Sequence, residues 1–145
     1  MNIEVMSRRD FEKYAKESHR LTSAVVSISS YGGVIPNADC NKTNKIINIG
    51  HWFFNDTDGR SEYDHAMNAL QAIEIVQFVR MMEGHVDKLI VHCDAGQSRS
   101  AGVAAAFLKY YTGSDMAIFN NRKYTPNMRC YTLVLNELFS WWTII

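Results

Sequence analysis

Residues Lys88–Tyr111 read KLIVHCDAGQSRSAGVAAAFLKYY. Lys88–His92 is a short apolar run carrying the β-branched pair Ile90 and Val91, the signature of a buried interior strand. DAGQS, residues 94–98, is small and polar, which makes a tight loop. Arg99–Tyr111 is rich in Ala and Leu, both strong helix formers, and stops before Gly113. A strand that passes through one short loop into a helix is half of a strand–helix–strand unit.

The flanking sequence repeats this alternation. Ile3–Met6 reads as a short strand, and Ser7 is placed to cap the polar helix that follows it. Ser23–Ser29 (SAVVSIS) has the composition and length of a second buried strand. Lys45–Phe54 (KIINIGHWFF) offers a third, closed by the polar loop NDTDG. Ser61 and Asp64 have the spacing of a capping box, and Ala66, Ala69, Leu70, Ile73 and Val76 recur at helical intervals up to the stop at Gly84. Ser114 is positioned to cap a short helix. Thr125-Pro126 reads as a cap and first-turn proline opening a last helix towards Trp142. Strands alternating with helices specify an α/β fold over residues 1–145, one domain with a central, mostly parallel twisted sheet flanked by helices. Ligands of such sheets sit beyond the carboxyl ends of the strands, where the loop after Lys88–His92 lies.

Composition narrows the function classes. The chain has 145 residues, 47% hydrophobic and 21% charged, which is long enough to bury a core and too apolar for disorder. Fifteen basic residues against fifteen acidic give a net charge of zero, so a general nucleic-acid partner is not expected. Cys40, Cys93 and Cys130 are widely spaced and form no C-x-x-C pair, which indicates neither a zinc ribbon nor a disulfide framework. Reduced thiols, a start (MNIEVMSRRDFEK) lacking an apolar leader core, and the lack of any membrane-length apolar run point to a cytoplasmic protein without a membrane partner.

The chemistry lies in HCDAGQSRS, His92 through Ser100. A bare C-x5-R from three cysteines is about a one-in-six accident. Adding the preceding His, the central Gly and the trailing Ser lowers chance to roughly two in a hundred thousand. A short loop running into a helix turns its amides towards one point, here those of Asp94, Ala95, Gly96, Gln97 and Ser98, and the helix end adds partial positive charge. Gly96 allows a backbone shape that a side chain would obstruct. Arg99 can grip two phosphate oxygens with its planar fork. The same field favours a thiolate on Cys93, and Ser100 can hydrogen-bond the sulfur. Asp94 has the wrong sign for an anion site, so its side chain is expected to point outward. His92, without a metal-ligand set or a triad around it, reads as a hydrogen-bonding prop. Trp141 and Trp142 read as packing residues.

This segment resembles the signature HCxxGxxR of the cysteine-dependent protein tyrosine phosphatases, met by His92, Cys93, Gly96 and Arg99. The fuller form HCxAGxSRS looks like the compact dual-specificity branch. VVSISS, the FxD of Phe54–Asp56, and YTPNMRCYTLVL (residues 124–135) are similar to small bacterial and phage-type tyrosine phosphatases. The low-molecular-weight branch is disfavoured, because it carries its C-x5-R near the amino terminus. The resemblance implies a nucleophilic Cys93, a phosphate clamp from Arg99 and the loop amides, and assistance to the departing thiolate from Ser100. It also implies a general acid some thirty to forty residues upstream. Asp56 and Asp58 both qualify, and the FxD match favours Asp56. The activity so implied is hydrolysis of phosphotyrosine, extending to phosphoserine and phosphothreonine, in phosphorylated protein substrates, with no metal and no cofactor. Phosphoinositides or RNA 5′-phosphates form a second substrate class, which Asp94 and Gln97 disfavour because no lysine stands at those positions. A silent phosphate-binding module and a rhodanese-like sulfur transferase are further readings that fit Cys93, Arg99 and Ser100 less well. Oligomeric state is not readable from these residues.

Overall fold

A computed structural model describes residues 1–144, and the side chains of residues 1–140. The chain order is β1 (Asn2–Ser7), α1 (Arg8–Ala15), β2 (Ser23–Ser29), β3 (Ile46–Phe53), α2 (Ala69–Met82), β4 (Lys88–Cys93), α3 (Arg99–Thr112), α4 (Met116–Phe119) and α5 (Met128–Ile144), with a single 3₁₀ turn at Glu62–Asp64. The four strands form one sheet in the order β1-β4-β2-β3, and every pairing is parallel.

β2 and β4 occupy the centre, and β2 is buried along its whole length. Side chains alternate across a strand, so Ala24, Val26, Ile28, Leu89 and Val91 face one layer, while Val25 and Ile90 face the other. The first layer is built from α2, α3 and α5 through Ile75, Val79, Val103, Phe107, Val134 and Leu138. The second is α1, which lays Phe11, Tyr14 and Ala15 over Val25, Ile46 and Ile90. Complete burial of a phenylalanine such as Phe11 contributes about 1.5–3 kcal/mol, enough to hold a single short helix on that face. Among the described residues no helix is long and apolar enough to cross a membrane.

Several sequence expectations need correction. The Ser61–Asp64 capping box forms, but it closes only the 3₁₀ turn, because His65 adopts φ 52° and ends the run. α2 starts four residues later under a second capping box, Asn68 with Gln71. Its buried face is Ala72, Ile75, Val76, Val79 and Met82, whereas Leu70 is 64% exposed, so the register of the apolar stripe differs from the one read in the sequence. At the last helix, Thr125 and Pro126 precede the first turn, and Asn127 does the capping: its Oδ1 accepts from the Cys130 amide at 3.0 Å. Ser7 caps α1 as expected, accepting from the Asp10 amide. Ser114 accepts from Met116 N–H at 3.3 Å, one residue ahead of the cap position itself, Asp115. The Trp141 and Trp142 side chains lie outside the described residues.

Candidate active site

The loop from Asp94 to Ser98 leaves β4 at the carboxyl edge of the sheet and enters α3 at Arg99. Three of its carbonyls are held from outside by two separated parts of the chain. The Arg8 amide donates to Asp94 C=O at 3.1 Å, the Thr125 amide to Gln97 C=O at 2.9 Å, and the Asn127 amide to Ser98 C=O at 3.0 Å. A peptide unit whose carbonyl is fixed outward turns its neighbouring N–H groups the other way. Among the described residues none accepts a hydrogen bond from the amides of residues 95–98. Among the described residues no side chain caps α3, so the partial positive charge of its first turn adds to those amides.

Gly96 makes this winding possible. Its φ is +68°, and a Cβ there would lie 2.6 Å from the Ser7 nitrogen and 2.8 Å from the Met6 carbonyl oxygen. The loop is therefore seated directly on the end of β1. A second close approach, at Gly102, lets α3 run against the Asn127 carbonyl and brings the start of α5 to the loop.

Cys93 is the last residue of β4 and is 2% exposed. Its Sγ is 3.0 Å from the Ser100 hydroxyl, which is wholly buried. His92 lies behind it, fully buried and stacked on Phe11 at 4.7 Å. One ring nitrogen, Nε2, is 2.6 Å from the Ser27 hydroxyl, and the other, Nδ1, is 3.4 Å from the Cys93 carbonyl. A carbonyl can only accept, so Nδ1 carries the proton and Nε2 accepts from Ser27. Burial lowers the His92 pKa to about 4, which keeps the ring neutral. These contacts make it a prop between β2 and the loop.

Arg99 is 6% exposed. Nη1 donates to the Phe54 carbonyl at 2.9 Å and to the Ser30 hydroxyl at 3.2 Å, while Nη2 reaches the Asp94 carboxylate at 3.1 Å. Nε is buried with no partner among the described residues. The Nε–H and one of the two Nη2–H groups are thus the donors that remain. Asp94 is exposed, as expected, but its carboxylate is not free. Its carboxylate lies against Arg99 and accepts from Ser30 as well, because the adjacent guanidinium attracts it more directly than solvent does.

The two upstream aspartates part company. Asp56 Oδ1 accepts from the Ser98 hydroxyl at 2.7 Å and from the Asn127 side-chain amide at 2.8 Å, which brings it to the loop. Asp58 turns away: it pairs with Arg60 at 2.8 Å and accepts that residue's amide, as turn aspartates do. Sequence reading missed Ser30, the Phe54 carbonyl and Asn127. Asn127 carried a usable signal, since Asn is a preferred helix cap and directly follows Pro126. The Phe54 carbonyl carries none, because a main-chain acceptor has no residue identity.

Solved structures with this arrangement of elements supply the comparison. Tk-PTP in its active form is similar over 95% of this chain and 90% of its own, with TM-score 0.56 and 19% identity. The chain has the fold of the cysteine-dependent tyrosine phosphatases. Human DUSP28 is similar over 99% of this chain and 95% of its own, at TM-score 0.53 and 16% identity. PTPMT1 in complex with PI(5)P is similar over 85% and 80%, at TM-score 0.55 and 15% identity. Compared with protein-family models and with curated proteins, the sequence matches none. Among the described residues no group of three or more His, Cys, Asp or Glu is arranged to hold a metal ion.

Proposed function

We propose that the protein is a phosphomonoester hydrolase that dephosphorylates phosphotyrosine in protein substrates, with phosphoserine and phosphothreonine as secondary substrates. The observation that carries this reading is the clasped loop between Cys93 and Arg99: outward-held carbonyls, amides without a partner among the described residues, and an Arg99 with donors to spare, next to a cysteine sulfur in contact with Ser100. Such a cup fits a tetrahedral dianion.

In the proposed reaction the phosphate oxygens take hydrogen bonds from the loop amides and Arg99, and the Cys93 thiolate attacks phosphorus in line with the ester oxygen. The P–O bond breaks as the P–S bond forms. Asp56, protonated for this step, gives its proton to the leaving phenolate. The equatorial oxygens stay bonded to Arg99 and the amides while charge spreads over them. Asp56, now a carboxylate, takes a proton from water, the resulting oxygen nucleophile attacks the phosphocysteine, and the thiolate leaves with a hydrogen bond from Ser100. Asp56 is supported in this role by its bonds to Ser98 and Asn127, and Asp58 is disfavoured by its pairing with Arg60.

Steady-state hydrolysis of phosphotyrosyl and phosphoseryl peptides, phosphoinositides and 5′-phosphorylated RNA tests the reading. A preference for phosphotyrosyl peptides, with a phosphocysteine trapped by rapid acid quench, supports it. A preference for either non-protein substrate, or complete inactivity, refutes it.

A further inference from the structure

α1 carries an uncompensated positive stripe beside the candidate active site. Arg9, Lys13 and Lys16 are exposed and stand at i, i+4 and i+7, on one face of the helix. With Arg8, Glu12 and Asp94 they line an open cleft of about 540 Å³. Asp94 belongs to the loop itself, and Arg8 donates its amide to the Asp94 carbonyl, so the cleft and the loop share a wall.

The charges in this cleft do not cancel locally. Asp94 is engaged by Arg99 and Ser30. Glu12 pairs with Arg8 at 3.7 Å and accepts from the Asn37 amide. Arg8 spends its guanidinium on the Val34 and Ile35 carbonyls. Arg9, Lys13 and Lys16 make no side-chain hydrogen bond or ion pair to a described residue. Asp10 and Glu17, the other acids of this stretch, do not line the cleft. In a chain of zero net charge this is a local field rather than a general one.

Resting on the phosphotyrosine reading above, we propose that this face of α1 is a docking track for an acidic stretch flanking the phosphorylated residue of a protein substrate. Seven residues of helix span about 10 Å, which equals roughly three residues of extended peptide. The stripe is linear and leads away from the loop, as a peptide flank would. A multiply phosphorylated headgroup would crowd its charges at the loop, where the Asp94 carboxylate stands.

The test uses phosphotyrosyl peptides that differ only in a run of glutamates before the phosphoresidue, after it, or replaced by glutamines. p-Nitrophenyl phosphate, which has no flanks, reports the chemistry alone. At low salt one acidic peptide should exceed the neutral one by about tenfold in kcat/KM, and high salt should erase most of the gap. The triple variant Arg9→Ala/Lys13→Ala/Lys16→Ala should lose that preference while hydrolysing p-nitrophenyl phosphate as before. Equal rates on acidic and neutral peptides, or a preference that survives the triple variant, overturns the docking track. So does a triple variant that loses turnover of a phosphoinositide in phosphatidylcholine vesicles but not of the acidic peptide. If p-nitrophenyl phosphate is not hydrolysed, the proposed reaction fails, and fluorescence anisotropy of the same labelled peptides then decides. Tighter binding of an acidic peptide that the triple variant abolishes upholds the track, and unchanged binding refutes it.

Discussion

The Ser98 hydroxyl donates to the Asp56 carboxylate at 2.7 Å, joining the last residue of the loop to the segment after β3 across 42 positions of sequence. Asn127 holds the same carboxylate oxygen from the start of α5. Asp56→Asn should therefore lower kcat by about a hundredfold to ten-thousandfold, the worth of general acid catalysis. The loss should shrink for aryl phosphates whose leaving group is already a weak base. Asp58→Asn should change kcat by less than about twofold, since an exposed pairing of this kind contributes little. A large, leaving-group-dependent loss at Asp58 would transfer the role to that residue.

Cys93→Ser should abolish turnover yet leave vanadate or phosphate binding in place, because a hydroxyl there is not ionised whereas the amides and Arg99 are untouched. Calorimetry on the variant, set beside its progress curves, measures both. Substantial residual hydrolysis would remove Cys93 as nucleophile.

The Asp94–Arg99 pair, at 3.1 Å, is expected to oppose anion binding, since the carboxylate shares the guanidinium that a phosphate would use. Asp94→Asn should tighten competitive inhibition by phosphate about two- to tenfold, in keeping with a half-exposed ion pair. Weaker inhibition would mean that Asp94 serves chiefly to orient Arg99.

His92 makes stability depend on pH. Its pKa falls from 6.5 to about 4 on folding because the ring is buried. The unfolded chain thus takes up the proton first. The contribution is complete above about pH 6.5 and is lost as pH falls towards 4, with a total on the order of 3 kcal/mol. Urea midpoints measured across that window should drop more steeply for the parent than for His92→Gln. Parallel pH profiles for the two proteins would refute the assignment.

Much of this architecture was legible because it rests on local pattern. β2 ends where its apolar run ends, and α3 begins at the arginine that closes the polar loop. The misreadings share a physical origin. Ser61 and Asp64 do form their reciprocal bonds, but nothing local announces that His65 turns left-handed and stops the helix there. The stripe on α2 was out of register because Leu70 and Ala72 are both apolar, and only the sheet decides which is covered. The Asp94–Arg99 contact was missed by considering the anion alone, without the fixed cation five residues on. The cysteine, the glycine and the arginine of the loop could be picked out by spacing. Ser30 and Asn127 approach from distant segments, and only the fold brings them there.

The three carbonyl clasps on the loop have a consequence for cooperativity. They come from residue 8 on one side and residues 125 and 127 on the other, so the cup is closed by long-range contacts from segments that flank it in sequence. A fragment holding β2 through α3 would contain the cysteine, the arginine and both aspartates and still lack all three residues that clasp the loop. Competence to bind an oxyanion is in this sense a property of the whole fold rather than of the motif. It should be lost as soon as these clasps open on unfolding, instead of surviving in any partly folded intermediate.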